Sequence, residues 1–304
     1  MNEVSVKVNS FKAWVLASRP KTLSGAAVPV MIGTALAMRD TLYDIRFVPA
    51  ILCFLFAFLM QIDANFINDY FDFVKGTDDE TRLGPKRACA QGWITKSAMR
   101  RGIVLTTILS CMVGLPLVFY GGWQMIVVGA VCVLFCFLYT TCLSYMGLGD
   151  VLVVLFFGIV PVCFTYYLDM PSGTPLFGSE VVWISLACGL VIDTLLIVNN
   201  YRDIDNDRRA GKKTLVVRIG AKASENLYLG LGLSACVLSL ALFYYKSVWA
   251  AFLPLIYLVM HIHTYREMLR IRKGAELNRV LGMTARNMFF YGLLQSVGLI
   301  IGVQ

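Results

Sequence analysis

Asn65-Phe-Ile-Asn68-Asp69-Tyr-Phe-Asp72-Phe-Val-Lys75-Gly76-Thr-Asp78 closes one long apolar run of this chain. Asn199-Asn200-Tyr-Arg202-Asp203-Ile-Asp205-Asn-Asp207-Arg-Arg-Ala-Gly211-Lys212-Lys213-Thr214 closes another. Each run is of membrane length, about 20 residues. Carboxylates at the edge of a membrane are costly unless paired or bound to cations, so they mark function by default. Two such clusters in one chain point to a divalent metal holding a phosphorylated substrate.

The composition agrees with a membrane setting. Of the 304 residues, 58% are hydrophobic and only 15% charged, and the mean hydropathy is +0.70. A water-soluble fold of this size would leave large apolar patches exposed. The formal charge of +8 does not point to nucleic acid, because the basic residues lie between apolar runs, where they set topology and meet phosphate. No short signal peptide is expected ahead of the first span. Nine cysteines show no CxxC spacing, and His261 and His263 do not share a helix face, so neither set suggests a zinc site.

Nine apolar stretches can be drawn, at 22–38, 47–70, 102–120, 122–142, 147–168, 180–200, 223–245, 247–265 and 284–302. With the N-terminus inside, all of the 27 Lys and Arg except Arg39, Arg46 and Lys246 fall on one side. That asymmetry predicts a cytoplasmic N-terminus. The fold expected is therefore all-α: a single polytopic membrane domain over residues 1–304, with nine helices around a central apolar cavity and a cytoplasmic cap. The two acidic clusters lie four helices apart and on the same side. An even separation suggests a parallel repeat of two four-helix halves plus a ninth helix.

Helical phase sharpens both clusters. At about 100° per residue, Asn65, Asn68, Asp69 and Asp72 fall within an arc of about 100°, while Asp63 points to the opposite side. Asp193, Asn200, Asp203 and Asp207 share an arc of about 80°, with Asn199 at its edge and Asp205 pointing away. Carboxylates converging this way repel one another, and hydrated Mg²⁺ removes that repulsion while bridging to phosphate oxygens. Asp78 would return to the first cluster from the loop. Arg82, Lys86 and Arg87 follow the first cluster; Arg202, Lys212, Lys213 and Arg218 accompany the second. Each serves either as a phosphate ligand or as a solvated charge enforcing topology.

The residues carry a family resemblance. Asn68-Asp69-x-x-Asp72 and Asp203-x-x-x-Asp207, each ending a membrane helix, resemble the motifs of the UbiA superfamily of intramembrane aromatic prenyltransferases. Arg19-Pro20-Lys21-Thr22-Leu23, Arg82-Leu-Gly84-Pro85-Lys86-Arg87 and Gly211-Lys-Lys213-Thr-Leu-Val-Val-Arg218-Ile-Gly220 bring it closer to the 1,4-dihydroxy-2-naphthoate polyprenyltransferase branch. Many superfamily members carry another Asp four residues after the one matching Asp72. Here Gly76 stands at that place and Asp78 follows two residues later, as it tends to in the naphthoate branch.

The resemblance implies an enzyme that transfers a polyprenyl group from its diphosphate to an aromatic acceptor, with Mg²⁺ held by Asn68, Asp69, Asp72, Asp78, Asp203 and Asp207. Lys213 and neighbouring arginines would share the charge leaving with diphosphate. Lys21, Arg82, Arg87, Asn199, Arg202 and Arg218 would bind substrate. Tyr139 and Tyr145 would shield an allylic cation or else anchor the membrane interface. Asp193 either orients an asparagine or pairs with another helix, and Asp150 either shapes the acceptor pocket or caps the fifth helix. The partners implied are the polyprenyl diphosphate, the acceptor and the bilayer of a bacterial plasma (inner) membrane, with no nucleic acid and no protein partner. The alternative acceptor is 4-hydroxybenzoate. A secondary transporter, a reading of another class, would more naturally hold its acids near the midplane.

Overall fold

The computed structural model describes residues 6–76, 82–172 and 178–301. Among them every regular element is helical. A short helix, α1 (Phe11–Ser18), starts at Ser10, whose side chain accepts from the Ala13 amide, and ends at Arg19, which turns the chain at a φ of 50°. The long helices α2 (Leu23–Asp40), α3 (Phe47–Val74), α4 (Lys96–Gly121), α5 (Gln124–Leu143), α6 (Gly149–Asp169) and α7 (Ser179–Arg202) follow. Two short ones, α8 (Ile204–Arg209) and α9 (Leu215–Ile219), lead into α10 (Ala221–Phe243), α11 (Val248–Ile271) and α12 (Leu277–Ile301).

Eight helices of the described residues are long and apolar enough to cross a membrane, the first being α1 and α2 counted together. α12 matches them in length, at 25 residues. Its hydropathy is diluted by Thr284, Asn287, Gln295 and Ser296, all buried. These face protein rather than lipid: Asn287 donates to Thr264 Oγ1 at 2.8 Å and Gln295 to the Ala250 carbonyl at 3.1 Å. Polar side chains that reach across to another helix are tolerated inside a bilayer. The chain is an integral membrane protein whose described residues hold eight apolar spans and, in α12, a further helix of membrane length. α3, α4 and α11 run several residues past the apolar stretches, because their charged ends stay helical beyond the hydrocarbon.

α2, α6, α7 and α12 form the packed centre, built on Val28, Ile32, Leu36, Ile184, Val191 and Tyr291. Small residues let its helices approach: a Cβ on Gly158 of α6 would lie 2.5 Å from the Gly189 Cα of α7. α4 and α5 stand at the rim and turn Val104, Leu105, Ile108, Met112, Phe119 and Leu134 outward. Such a belt suits hydrocarbon. Between rim and centre lies a chamber of about 970 Å³, lined from α2, α3, α4, α5, α6 and α7.

At one end the connecting segments interlock into a cap. The Asn278 amide donates to the Leu83 carbonyl at 2.8 Å, and the Lys213 amide to the Tyr145 carbonyl at 3.1 Å. Arg218 Nη2 reaches the Met146 carbonyl at 2.6 Å, and Lys75 Nζ the Thr141 carbonyl at 2.9 Å. These bonds bring the segments after α3, α5, α7 and α11 to the same face.

Candidate active site

α3 is the post on which the site stands. Its 28 residues reach about 42 Å, longer than the hydrocarbon core of about 30 Å. Its last turns therefore carry Asn65, Asn68, Asp69 and Asp72 up to the cap. Asn68 and Asp72 line the chamber. Asn68 Oδ1 accepts from the Thr140 hydroxyl, and Asp72 Oδ2 accepts from Arg87 Nη2 at 3.1 Å.

The other two residues of that helix face are used differently. Asn65 donates to the Ser18 carbonyl at 2.9 Å and the Thr22 hydroxyl at 3.0 Å, fastening the junction of α1 and α2. Asp69 is 1% exposed, and its oxygens accept from the Ala88 and Cys89 amides at 2.8 and 2.9 Å. Neither lines the chamber. Asp69, expected as a metal ligand, instead holds the loop that delivers Arg87, because adjacent residues on a helix diverge by about 100°. Asp78 lies outside the described residues. Asp63, on the far side of α3, takes the hydroxyls of Thr106 and Thr107 on α4.

In the second cluster the helix breaks at Asp203, yet the Asp207 amide still donates to the Asp203 carbonyl at 2.8 Å. The two carboxylates therefore stay one turn apart. Arg202, 3% exposed, grips Asp203 with Nε at 2.9 Å and Nη2 at 2.5 Å, Asn199 Oδ1 at 2.9 Å and Asn278 Oδ1 at 2.8 Å. Expected as a substrate ligand, Arg202 is committed to holding this acid and tying α7 to α12. A Cβ on Gly84 would come within 2.7 Å of Arg202 Nη2, so only glycine lets the loop seat on the guanidinium.

The two clusters share one field. Burial pushes the Asp207 carboxyl up to about 6; Lys212 and Arg82 oppose the rise, and the charges of Asp203 and Asp72 add to it. Asp205 stands apart at the surface with Arg208 and Lys273. Asn68, Asp72 and Asn199 line the chamber while Asp203 and Asp207 stand behind its wall, and among the described residues no three acidic, histidine or cysteine side chains converge closely enough to hold a metal ion.

The basic residues sort with equal clarity. Arg19, Arg82, Arg87 and Lys212 line the chamber, whereas Lys21, Lys213 and Arg218 are exposed and do not. Of each neighbouring pair it is Lys212 rather than Lys213, and Arg19 rather than Lys21, that borders the chamber. Arg218 bonds the Met146 and Lys213 carbonyls, which gives it a fastening role. Tyr139 lines the chamber; it opens a π-helical turn, Tyr139–Leu143, at the end of α5. Such turns recur at functional sites. Tyr145 does not line it, and its ring already lies 4.0 Å from Lys75 Nζ and 5.7 Å from Lys212 Nζ. Arg19, Thr140, Ser144 and Asn200 were missed as site residues. Two of them carried a signal, Asn200 by its place on the arc of Asp203 and Asp207 and Arg19 by the segment Arg19-Pro20-Lys21-Thr22-Leu23.

The profile of the UbiA prenyltransferase family matches residues 26–293. This chain belongs to that family. It is 32% identical over 306 residues to the 1,4-dihydroxy-2-naphthoate octaprenyltransferase of Escherichia coli, covering 97% of each chain. Among solved structures, the apo form of a UbiA homolog from Aeropyrum pernix K1 superposes with a TM-score of 0.70 at 14% identity, over 93% of this chain and 98% of that one. A UbiA homolog from Archaeoglobus fulgidus bound to DMAPP and Mg²⁺ gives 0.60 at 15% identity, over 93% and 99%. These two likenesses speak for the fold. Membership of a prenyltransferase family removes the transporter reading.

Proposed function

We propose that this chain transfers a polyprenyl group from polyprenyl diphosphate to 1,4-dihydroxy-2-naphthoate, releasing diphosphate and CO₂ and giving demethylmenaquinone. The observation that carries the reading is the chamber itself. An apolar interior of prenyl-tail character opens at the cap onto Asn68, Asp72, Asn199, Asn200 and four cations, drawn from distant segments. The naphthoate acceptor is supported by the name of the Escherichia coli relative, and the donor and metal by the DMAPP and Mg²⁺ of the Archaeoglobus fulgidus homolog.

Asn68, Asp72, Asp203 and Asp207 would hold the divalent cation, which when bound neutralises diphosphate and the mutual repulsion of these acids. Arg19, Arg82 and Arg87 would take the remaining diphosphate oxygens as bidentate donors. Phe135, Phe156, Phe157 and Tyr139 line the chamber below them and offer aromatic faces to an allylic cation. The apolar walls exclude the water that would otherwise capture it.

The protein would sit in a bacterial plasma membrane with its N-terminus and cap cytoplasmic. Cysteine labelling in oriented vesicles should find Lys86, Lys212 and Lys273 positions reactive from the cytoplasmic side and Lys246 from the other. Labelling of Lys86 and Lys212 from opposite sides would rule out a joint site. The acceptor is tested by giving the membrane protein one polyprenyl diphosphate, Mg²⁺ and equal concentrations of dihydroxynaphthoate and 4-hydroxybenzoate. Demethylmenaquinone with CO₂ release is the expected product. Prenylated 4-hydroxybenzoate with its carboxylate retained would overturn the naphthoate assignment and leave the metal site standing.

A further inference from the structure

A void of about 10 Å³ adjoins the chamber at the cap, lined by Tyr139, Ser144, Gly149, Asp150, Asn200, Lys212 and Thr214. Four of these, Tyr139, Ser144, Asn200 and Lys212, also line the chamber, so the void is a notch in its wall. Its volume suits a single oxygen-sized group. Asp150 stands in the first turn of α6, where helix dipoles favour a negative charge. It does not cap that helix, which has no side-chain cap bond. The residue is 6% exposed, and neither carboxylate oxygen meets a donor outside its own residue among the described residues.

A buried carboxylate without donors is costly. Two acceptor oxygens at a notch of this size call for a donor that arrives with the ligand. Lys212 also borders the notch, and its charge acts on the neighbouring Asp207. Asp193, 3% exposed, lies within electrostatic reach of Asp150.

We propose that the notch seats a ring hydroxyl of the aromatic acceptor, donating to Asp150, while Lys212 pairs with a carboxylate on the adjacent ring carbon. The ligand class is an ortho-hydroxy aromatic carboxylate; this rests on the prenyl-transfer reading above and names the residues that select its acceptor. A para-hydroxy acid carries the two groups at opposite ends of its ring and cannot satisfy both residues at once. Hydrogen bonding to an anionic Asp150 also pushes electron density into the ring that must attack.

The test uses the full chain in lipid nanodiscs with Mg²⁺ and a polyprenyl diphosphate. Asp150→Asn keeps the shape of the side chain, and Asp150→Leu removes the acceptor oxygens. The acceptor KM should rise about tenfold or more in the Leu variant and by less in the Asn variant, with the donor KM within about twofold of the parent. In donor-free protein, 1-hydroxy-2-naphthoate should bind about tenfold tighter than 2-naphthoate, and Asp150→Leu should erase that preference. Unchanged acceptor KM and unchanged preference in both variants would overturn the assignment, as would a donor KM that rises as far as the acceptor KM. If wild-type protein prenylates no hydroxynaphthoate, the functional reading fails first; if it does so independently of Asp150, only this inference fails.

Discussion

Asp69→Asn separates a loop anchor from a metal ligand. The carboxylate is fully enclosed and accepts two backbone amides, Ala88 at 2.8 Å and Cys89 at 2.9 Å. Asparagine keeps the shape but offers one oxygen, so one loop amide faces an NH₂ group. The loss comprises a charge-assisted hydrogen bond and a buried donor left unpaired, together on the order of 3 kcal/mol. That cost falls on the loop that seats Arg87 against Asp72, so the loop should open locally rather than the bundle unfold. Hydrogen exchange read by mass spectrometry should show protection of the Ala88 and Cys89 amides falling by about 100-fold. Turnover should drop as Arg87 leaves its place, while the Mg²⁺ concentration for half-maximal rate moves by no more than about threefold. Intact protection of those amides together with a tenfold or greater rise in the Mg²⁺ requirement would refute the anchoring role.

Three further outcomes are expected. Asp72→Asn or Asp203→Asn should nearly abolish turnover while membrane insertion is retained, since each removes an anionic oxygen without changing shape, and Asp203→Asn should also lower the unfolding midpoint because it leaves the buried Arg202 without its counter-charge; full activity in either folded variant would sink the donor set. Arg202→Lys keeps the charge but cannot reach Asp203, Asn199 and Asn278 together, so the unfolding midpoint should fall by an amount reflecting about 2–4 kcal/mol; an unchanged midpoint would refute the clamp. Asp207, raised to about 6, binds more protons in the folded than in the unfolded chain between the ordinary carboxylate value and that pH, so metal-free protein should lose stability as pH rises through this window. Metal binds the ionised form, so its affinity should decline below about pH 6, and flat profiles in both measurements would exclude a shared acidic field.

The bundle was legible because a bilayer allows few solutions. Backbone groups in hydrocarbon must be satisfied within the segment, so long apolar runs become helices. α12 shows where hydropathy alone loses resolution. Asn287, Gln295, Thr284 and Ser296 lower its apolar average, yet each is buried against neighbouring helices, and a single-sequence scale cannot tell a polar group facing protein from one facing lipid. The helix ends were drawn short for a related reason. Lys96, Arg100 and Arg101 open α4 with helical backbone and charged side chains, because the hydrogen-bond ladder does not stop where the hydrocarbon does.

Within the site, legibility followed regular geometry and failed at contacts between segments. Helical phase separated Asp63 from Asn68 and Asp72 correctly, since 3.6 residues per turn is a property of the backbone alone. The same phase put Asp69 in the set, because an arc of one helix does not reveal what packs against its edge. Only the loop 82–89, returning across α3, shows that Asp69 is taken by the Ala88 and Cys89 amides. Lys212 and Lys213 could not be separated by any periodicity, because they follow a turn at Gly211 with φ of 70°. The Lys213 amide is drawn to the Tyr145 carbonyl, which turns Lys212 toward the acids. Arg202 makes the point most sharply: a guanidinium between two aspartate motifs reads as a phosphate ligand, yet Asn278, 76 residues away, completes a cage that uses it to aim Asp203. In this site the charged residues nearest the motif hold it in shape, and the charges left facing the chamber come from Arg19, Arg82, Arg87 and Lys212, gathered there by the cap.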